Sequence, residues 1–516
     1  MQHIKVNFMA VNALIFTQIM QKQYAYSRAL GAYRVATELR KAGYTCQVVD
    51  LFTKFTDEEM DKIINSFIGA ETLVIGFSAT FYEYIDQQLD TLQKKITGKE
   101  IQVPIDHLFT LNYPYHSERM ENWFSKMKKI NPNVKIVLGG SKAGNLTGSC
   151  DAYAVGYCDQ AIVEYMKFLE GKNPFFQYEV INDKQIAFYG DRFTSKFEFT
   201  TSKVEWHESD HIMHNETLPI ELARGCIFSC KFCSYPLNGK KKLDFIKTDD
   251  TLKEEFLRNY NDFGITRYVY CDDTHNDSVE KLERLHKVVN SLPFKIEYAA
   301  YLRHDLIYAH KETAQLLLES GLRSAIFGIE TLNYESGKAI GKGLHPEKIK
   351  ELLYWLREDK WKNEVALSSG FIIGLPHDTP ETVNEWSKWI LDKSCPLDSF
   401  HFEPLYITNT KIHNKFWRSE FEKSSEKYGY ILGENGYWEN EHYTFFTAGN
   451  HAKRLLNVAL KDDRFRCAGF PLIMFANLGL IPKNLIGISR TSMFSQIENL
   501  NKVYINQYKD RLLGSL

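Results

Sequence analysis

Three cysteines, Cys226, Cys230 and Cys233, fall inside eight residues of the stretch ELARGCIFSCKFCSYP, spaced CxxxCxxC, with Phe232 just before the third. Thiolates that close together on one loop are metal ligands. Three of them can hold a cluster of several iron atoms and leave one iron without a protein ligand, an opening that a closed four-cysteine electron-transfer site lacks. The competing chemistry is a zinc knuckle, closed by a fourth ligand such as Cys271 or a histidine. The nine cysteines of the chain form no regular framework. That argues for a reducing compartment in which thiolates stay free for metal.

A short apolar run from Leu218 to Ala223 delivers this loop, and Arg224-Gly225 breaks the strand before the first cysteine. Beyond it strands and helices alternate, and each strand stops on polar or glycine residues. Tyr268–Tyr270 ends on Cys271, Asp272, Asp273 and Thr274, and Ile296–Ala300 is followed by Arg303. Ala325–Ile329 ends on Glu330, Ser369–Ile373 on Gly374, and Phe400–Phe402 on Glu403. Six strands with polar groups at one end predict a partial (βα)6 barrel of TIM type with its site on the carboxyl face. Local readings compete for several of these residues. Asp272 could cap a helix over Ser278–Val289, Arg303 could pair with Asp305, and Glu330 could be structural. Cys271 reads as a small apolar core residue, and Lys240, Lys241 and Lys242 as a solvated loop. Thr379-Pro380 carries a helix-start signature, a cap residue followed by proline at the first helical position.

The first 170 residues show the same alternation and predict a doubly wound, Rossmann-like parallel sheet. Its strands are expected at Ile4–Phe8, Gln47–Leu51, Leu73–Phe77, Val134–Leu138 and Ala152–Val155, with helices over Leu30–Ala42 and Gln160–Leu169. In such sheets ligands bind outside the carboxyl ends of the strands, where Ser78, Thr80, Gly139, Gly140 and Ser141 stand. Residues 171–215 read as a linker with a hairpin around Asn182-Asp183-Lys184, and its His207, His211 and His214 as solvent-exposed. Residues 216–410 are the barrel. Residues 411–516 form a mainly helical C-terminal region, with helical spacing over His451–Leu460 and Met493–Leu513 and a Phe470–Leu480 stretch packed on the barrel.

A net charge of −2 offers no electrostatic footprint for nucleic acid or an anionic membrane. No apolar run reaches the roughly 20 residues needed to span a bilayer. The N-terminus lacks a charged segment followed by a small-residue cleavage site, so the expected location is cytoplasmic.

Residues 216–410 resemble the radical SAM family. GCIFSCKFC, CDDTHND, FGIETLN, FIIGLPHDTPET and FEPLYITNT stand in the family's order. Asp378 replaces a commoner Glu, and Thr408-Asn409-Thr410 replaces Pro-Gly-Thr. The runs GAYRVATELRKAGYTCQVVDLF, LVIGFSAT, NPNVKIVLGGS and CDAYAVGYCDQAIVEYMKFLEG are similar to the cobalamin-binding domain that precedes many such enzymes. The Asp-x-His-x-x-Gly signature that supplies a histidine to cobalt is absent after the first expected strand.

The resemblance implies that Cys226, Cys230 and Cys233 ligate a 4Fe-4S cluster whose open iron chelates S-adenosylmethionine. Phe232 would lie near the adenine. Asp273, Arg303, Glu330 and the backbone of Ile373 and Gly374 would hold the rest of that cofactor, with Ser78, Gly139 and Gly140 on the cobalamin side. The implied reaction is reductive cleavage to a 5′-deoxyadenosyl radical, with an electron donor such as flavodoxin or ferredoxin and a small-molecule or peptide substrate. Cobalamin-dependent methylation of an unactivated carbon is one branch. Cobalamin-free rearrangement, cyclisation or hydrogen abstraction is the other, and a non-catalytic metal-binding scaffold is the alternative outside enzymes. A second cluster has only Cys46, Cys150 and Cys158 to draw on.

Overall fold

Short apolar strands separated by amphipathic helices build two parallel sheets in the computed structural model, which describes residues 10–17, 27–78, 118–140, 149–190, 197–235, 237–407, 419–433, 437–461, 483 and 488–516. In the first, β1 (Ala13–Phe16), β2 (Cys46–Val49), β3 (Val74–Ser78), β4 (Lys135–Gly140) and β5 (Ala152–Val155) run parallel in the order β2-β1-β3-β4-β5. β1, β2 and β5 are buried at every position, as strands covered on both faces must be. The order is the flavodoxin-like doubly wound one, with its switch point between β1 and β3. Among the described residues the first strand is Ala13–Phe16; the expected Ile4–Phe8 lies outside them.

The expected hairpin exists, but it is no free connector. β7 (Gln185–Tyr189) pairs in parallel with β5, and β6 (Glu179–Asn182) pairs antiparallel with β7, extending the sheet to seven strands. The polar stretch after it is also tied down. Arg40 grips both carboxylate oxygens of Asp210 at 2.8 and 2.9 Å, and the buried Arg28 pairs with Glu216. His207 and His214 are exposed as expected. His211 is half-buried in a left-handed conformation (φ 52°), and burial pushes its pKa down.

The second sheet joins β8 (Thr217–Ile220), β9 (Arg267–Tyr270), β10 (Glu297–Leu302), β11 (Leu322–Glu330), β12 (Ala366–Ile373) and β13 (Ser399–Pro404) in strict chain order, all parallel. This is the expected six-stranded partial barrel, and every strand ends on the same rim. The helices between strands are capped where the sequence signals it. Thr248 caps Asp249–Phe263, Ser278 caps Val279–Asn290, and Thr379 forms a capping box with Thr382 ahead of Pro380–Leu391.

Among the described residues of the C-terminal region, helices are joined by a two-stranded ribbon, β14 (Ile431–Leu432) with β15 (Trp438–Glu439). Helix Phe445–Ala459 packs on β13. The expected Phe470–Leu480 contact lies outside the described residues. The last helix, Arg490–Gly514, returns to the first sheet, where Tyr508 and Leu512 are fully buried in the core of one face. The Tyr508 hydroxyl accepts the Asp50 N–H at 2.8 Å, and Lys509 pairs with Glu59 at 2.6 Å. Deleting residues 489–516 should cost about 3 kcal/mol from those two side chains alone. It should lower the urea midpoint, and an unchanged midpoint would show that the helix is not part of this core. Among the described residues no helix is long and apolar enough to cross a membrane.

Candidate active site

The cysteine loop begins where β8 ends. Gly225 takes a left-handed turn (φ +74°), and a Cβ there would lie 2.5 Å from that of Leu237 and 2.7 Å from its carbonyl oxygen. Only glycine lets the two arms of the loop approach so closely. Backbone bonds then close it: Cys226 N–H donates to Leu237 O at 3.3 Å, Gly239 N–H to Cys226 O at 2.8 Å, and Arg224 N–H to Phe245 O at 3.0 Å.

Asp272, at the end of β9, buckles this loop to the barrel. Its Oδ1 accepts the Leu222 and Ala223 N–H groups at 2.8 and 3.0 Å. It caps no helix; Ser278 does that. Behind it the buried Lys281 Nζ lies 2.9 Å from Asp272 Oδ2 and 3.2 Å from Asp277 Oδ1. Burial opposes ionisation of Asp272, but Lys281 overrides it and holds the carboxyl well below the usual range. Lys240 departs from the solvated-loop expectation: its side chain is buried 3.9 Å from Asp277, while Lys241 and Lys242 are exposed.

Each of the three thiols has a polar partner of its own. Cys226 Sγ lies 3.1 Å from Thr274 Oγ1, Arg303 Nη1 donates to Cys230 Sγ at 3.3 Å, and Asn238 Nδ2 donates to Cys233 Sγ at 3.1 Å. Asn238 was invisible in the sequence as a site residue. It follows the third cysteine by a short loop and carries no motif. Among the described residues no three His, Cys, Asp or Glu side chains gather as they would around a single ion. Cys271, the suggested fourth ligand of a zinc knuckle, leans back toward the Val269 carbonyl, with Sγ 3.8 Å from that oxygen. Three soft donors without a fourth suit a cluster better than a lone zinc. Burial pushes the Cys226 thiol up and that of Cys233 up to about 11, so loading metal must release protons.

Cys271 is not in the apolar core. It is exposed at the end of β9, and so is Tyr235 after the third cysteine. Desolvation by the surrounding protein still raises both pKa values. Burial likewise pushes Tyr301 up to about 12. Asp273 lies at the same strand end, its Oδ2 buried without a hydrogen-bond partner. Burial, then the neighbouring Asp272, pushes Asp273 up to about 7.

The other expected residues divide. Glu330 ends β11 in a left-handed conformation (φ 69°), with Oε1 3.6 Å from Lys342 Nζ. Phe232 is half-buried and packs on the barrel core. The Ile373 carbonyl accepts the N–H of Leu405 just after β13 at 2.9 Å, and the Gly374 carbonyl faces the C-terminal region, where the Tyr430 hydroxyl donates to it at 2.8 Å. Arg303 both pairs with Asp305 and reaches Cys230. In the first sheet Ser78 and Gly139 are register partners at the ends of β3 and β4, beside Gly140 (φ +123°). Thr80 and Ser141 lie outside the described residues.

The two sheets meet at the cysteine loop. Asp159, which starts the helix after β5, takes Arg224 Nη1 and Nη2 at 2.7 and 3.0 Å. Tyr157 lies under the same guanidinium, 4.5 Å from ring centroid to Cζ. The carboxyl edge of the first sheet therefore abuts the residue that leads into Cys226.

Residues 220–390 match the family model of the Radical SAM superfamily. An uncharacterized methyltransferase of Pyrococcus horikoshii is 27% identical over 180 residues, 35% of this chain and 37% of that protein. The match thus spans little more than a third of that curated relative. Among solved structures, the radical S-adenosylmethionine methyltransferase TsrM from Kitasatospora setae, with cobalamin and a 4Fe-4S cluster bound, superposes with a TM-score of 0.56 at 13% identity, covering 82% of this chain and 79% of that one. The cobalamin-dependent radical enzyme OxsB, with aqua-cobalamin and S-adenosylmethionine bound, gives 0.51 at 13% identity, over 82% and 56%. Coverage that broad takes in the first sheet as well as the barrel, so the fold of both halves is shared.

Proposed function

We propose that this chain, whose residues 220–390 are a radical SAM domain, binds a 4Fe-4S cluster through Cys226, Cys230 and Cys233 and uses it with S-adenosylmethionine for radical chemistry on a substrate held in the barrel recess. The observation that carries the reading is the loop itself: three thiols, each with its own hydrogen-bond partner, at the rim of polar strand ends, with Cys271 turned toward the Val269 carbonyl. When bound, the cluster would supply one electron for reductive cleavage of S-adenosylmethionine and so give access to radical chemistry on the substrate. The protein's part is to orient and enclose. Phe232 offers an apolar face for the adenine, and Glu330 and Asp273 present carboxyl groups at two strand ends for the cofactor's hydroxyl and amino groups.

Methylation of an unactivated carbon with cobalamin is the branch we favour. It is supported by the doubly wound order of the first sheet and by the fold shared with the two cobalamin-dependent enzymes. Ser78, Gly139 and Gly140 mark the edge where cobalamin would sit. With β1 at Ala13–Phe16, the segment from Thr17 to Ala29 contains no histidine, so that loop would give cobalt no imidazole. A flavodoxin or ferredoxin as reductant and a cytoplasmic setting accompany this reading.

Anaerobic reconstitution with iron and sulfide should give a brown protein that forms 5′-deoxyadenosine from S-adenosylmethionine and dithionite. A normally loaded protein that forms none would sink the radical assignment, and zinc in place of iron would point to a scaffold. Titration with hydroxocobalamin should show saturable binding. Its absence would leave the cobalamin-free branch.

A further inference from the structure

We propose that Arg303 sets the reduction potential of the cluster through its bond to Cys230, and so acts as a positioning residue rather than a ligand of S-adenosylmethionine. The inference rests on the cluster assignment above. Three guanidinium N–H groups are already engaged. Nε and Nη2 grip the two oxygens of Asp305 at 2.9 and 2.5 Å, which leaves Nη1 aimed at Cys230 Sγ at 3.3 Å. Its face stacks on Phe228, 3.8 Å from Cζ to ring centroid. Its backbone is pinned as well: Arg303 N–H donates to Asn276 Oδ1 at 2.8 Å, and Asn276 Nδ2 donates to Arg303 O at 2.9 Å. At 5% exposure, and held by Asp305 and Phe228, it has little room to follow a mobile carboxylate.

A cluster gains negative charge on reduction, and a donor to a ligand sulfur stabilises the more negative state. The three donors should not count equally. Arg303 is cationic, and charge-assisted bonds are about twice as strong as neutral ones. Asn238 offers Cys233 a neutral amide at 3.1 Å. Thr274 has one proton to divide between Cys226 Sγ and the Asp273 carbonyl, 2.9 Å away, so its contribution is the smallest. Asp305 balances the charge of Arg303 at long range, which confines the effect to the Cys230 sulfur.

The test is an EPR-monitored redox titration of the reconstituted full-length protein without S-adenosylmethionine. Arg303→Met should lower the equilibrium constant for cluster reduction about tenfold, or about 59 mV for one electron. Arg303→Lys should recover part of that, and Asn238→Leu should lose about threefold. A midpoint unchanged in Arg303→Met at full iron content overturns the proposal, and weakened S-adenosylmethionine binding there would make Arg303 a cofactor ligand. If Arg303→Met takes up no iron, Asn238→Leu decides, and an unmoved midpoint in that variant overturns tuning by these donors. A wild-type protein that holds zinc and no iron overturns the cluster assignment and the tuning with it.

Discussion

Arg224→Met should destabilise the protein by about 3–5 kcal/mol, the cost of leaving buried charge unpaired. Four charged side chains meet where the first sheet touches the cysteine loop. Arg224 donates to both oxygens of Asp159 and, at 2.8 and 3.1 Å, to both oxygens of Glu221. Arg34 adds weaker contacts at 3.4 and 3.5 Å to the same two carboxylates. All four are at most 9% exposed, and Tyr157, Phe197 and Phe199 surround the Arg224 guanidinium. Methionine keeps most of the volume and removes the charge, so two carboxylates are left with one arginine. Burial disfavours the Asp159 anion, but Arg224 outweighs it and holds the carboxyl down at about 2. Without Arg224 that carboxyl should rise. Because Gly225 and Cys226 follow directly, iron uptake should fall together with stability. Urea unfolding and iron content of the same preparation check both. Adding Asp159→Asn should restore part of the loss, since it removes the orphaned charge. A cost below about 1 kcal/mol would mean that water reaches the quartet.

How much of this was legible in the sequence depends on how local the determinant is. The cysteine spacing, the strand-end glycines and the cap at Thr379 act within a few residues, and they stand where expected, whereas the cap expected of Asp272 is made by Ser278. The strand expected at Ile4–Phe8 lies outside the described residues, and Ala13–Phe16, which does pair, was not singled out because apolar residues stand on both stretches and pattern alone does not rank them. The hairpin was visible, but its place was not. β7 reaches β5 through backbone pairing, which leaves no mark in side-chain order. The buried ions were the hardest to see. Asp159 and Arg224 lie 65 residues apart, and each alone reads as a solvated surface residue. Cys271 misled for the converse reason: a small apolar residue at a strand end looks like core, and only the folded sheet shows that this strand end is exposed.

Lys281→Met should cost a similar amount, about 3–5 kcal/mol at neutral pH, and its pH dependence separates charge from packing. Lys281 stands between Asp272 and Asp277, with His275 3.5 Å from Asp272 and Lys240 3.9 Å from Asp277. Burial pushes the His275 pKa down, so this ring brings no cation to replace the lysine. In the wild type Asp272 titrates well below an unfolded carboxylate. Its stabilisation is therefore complete above about pH 4 and is lost only as pH falls through the folded value. Take the ammonium away and burial, with Asp277 close by, should push Asp272 above the unfolded value. The folded variant then takes up the proton first, so it gains stability as pH falls from about 7 towards 4, where the wild type gains nothing from this group. The gap between the two proteins should narrow over that range in urea titrations. A constant gap would mean that Lys281 contributes packing only. The same carboxylate holds the Leu222 and Ala223 N–H groups. A protonated Asp272 is a poorer acceptor, so the variant should also load iron more slowly at neutral pH, although no atom of Lys281 needs to touch the metal.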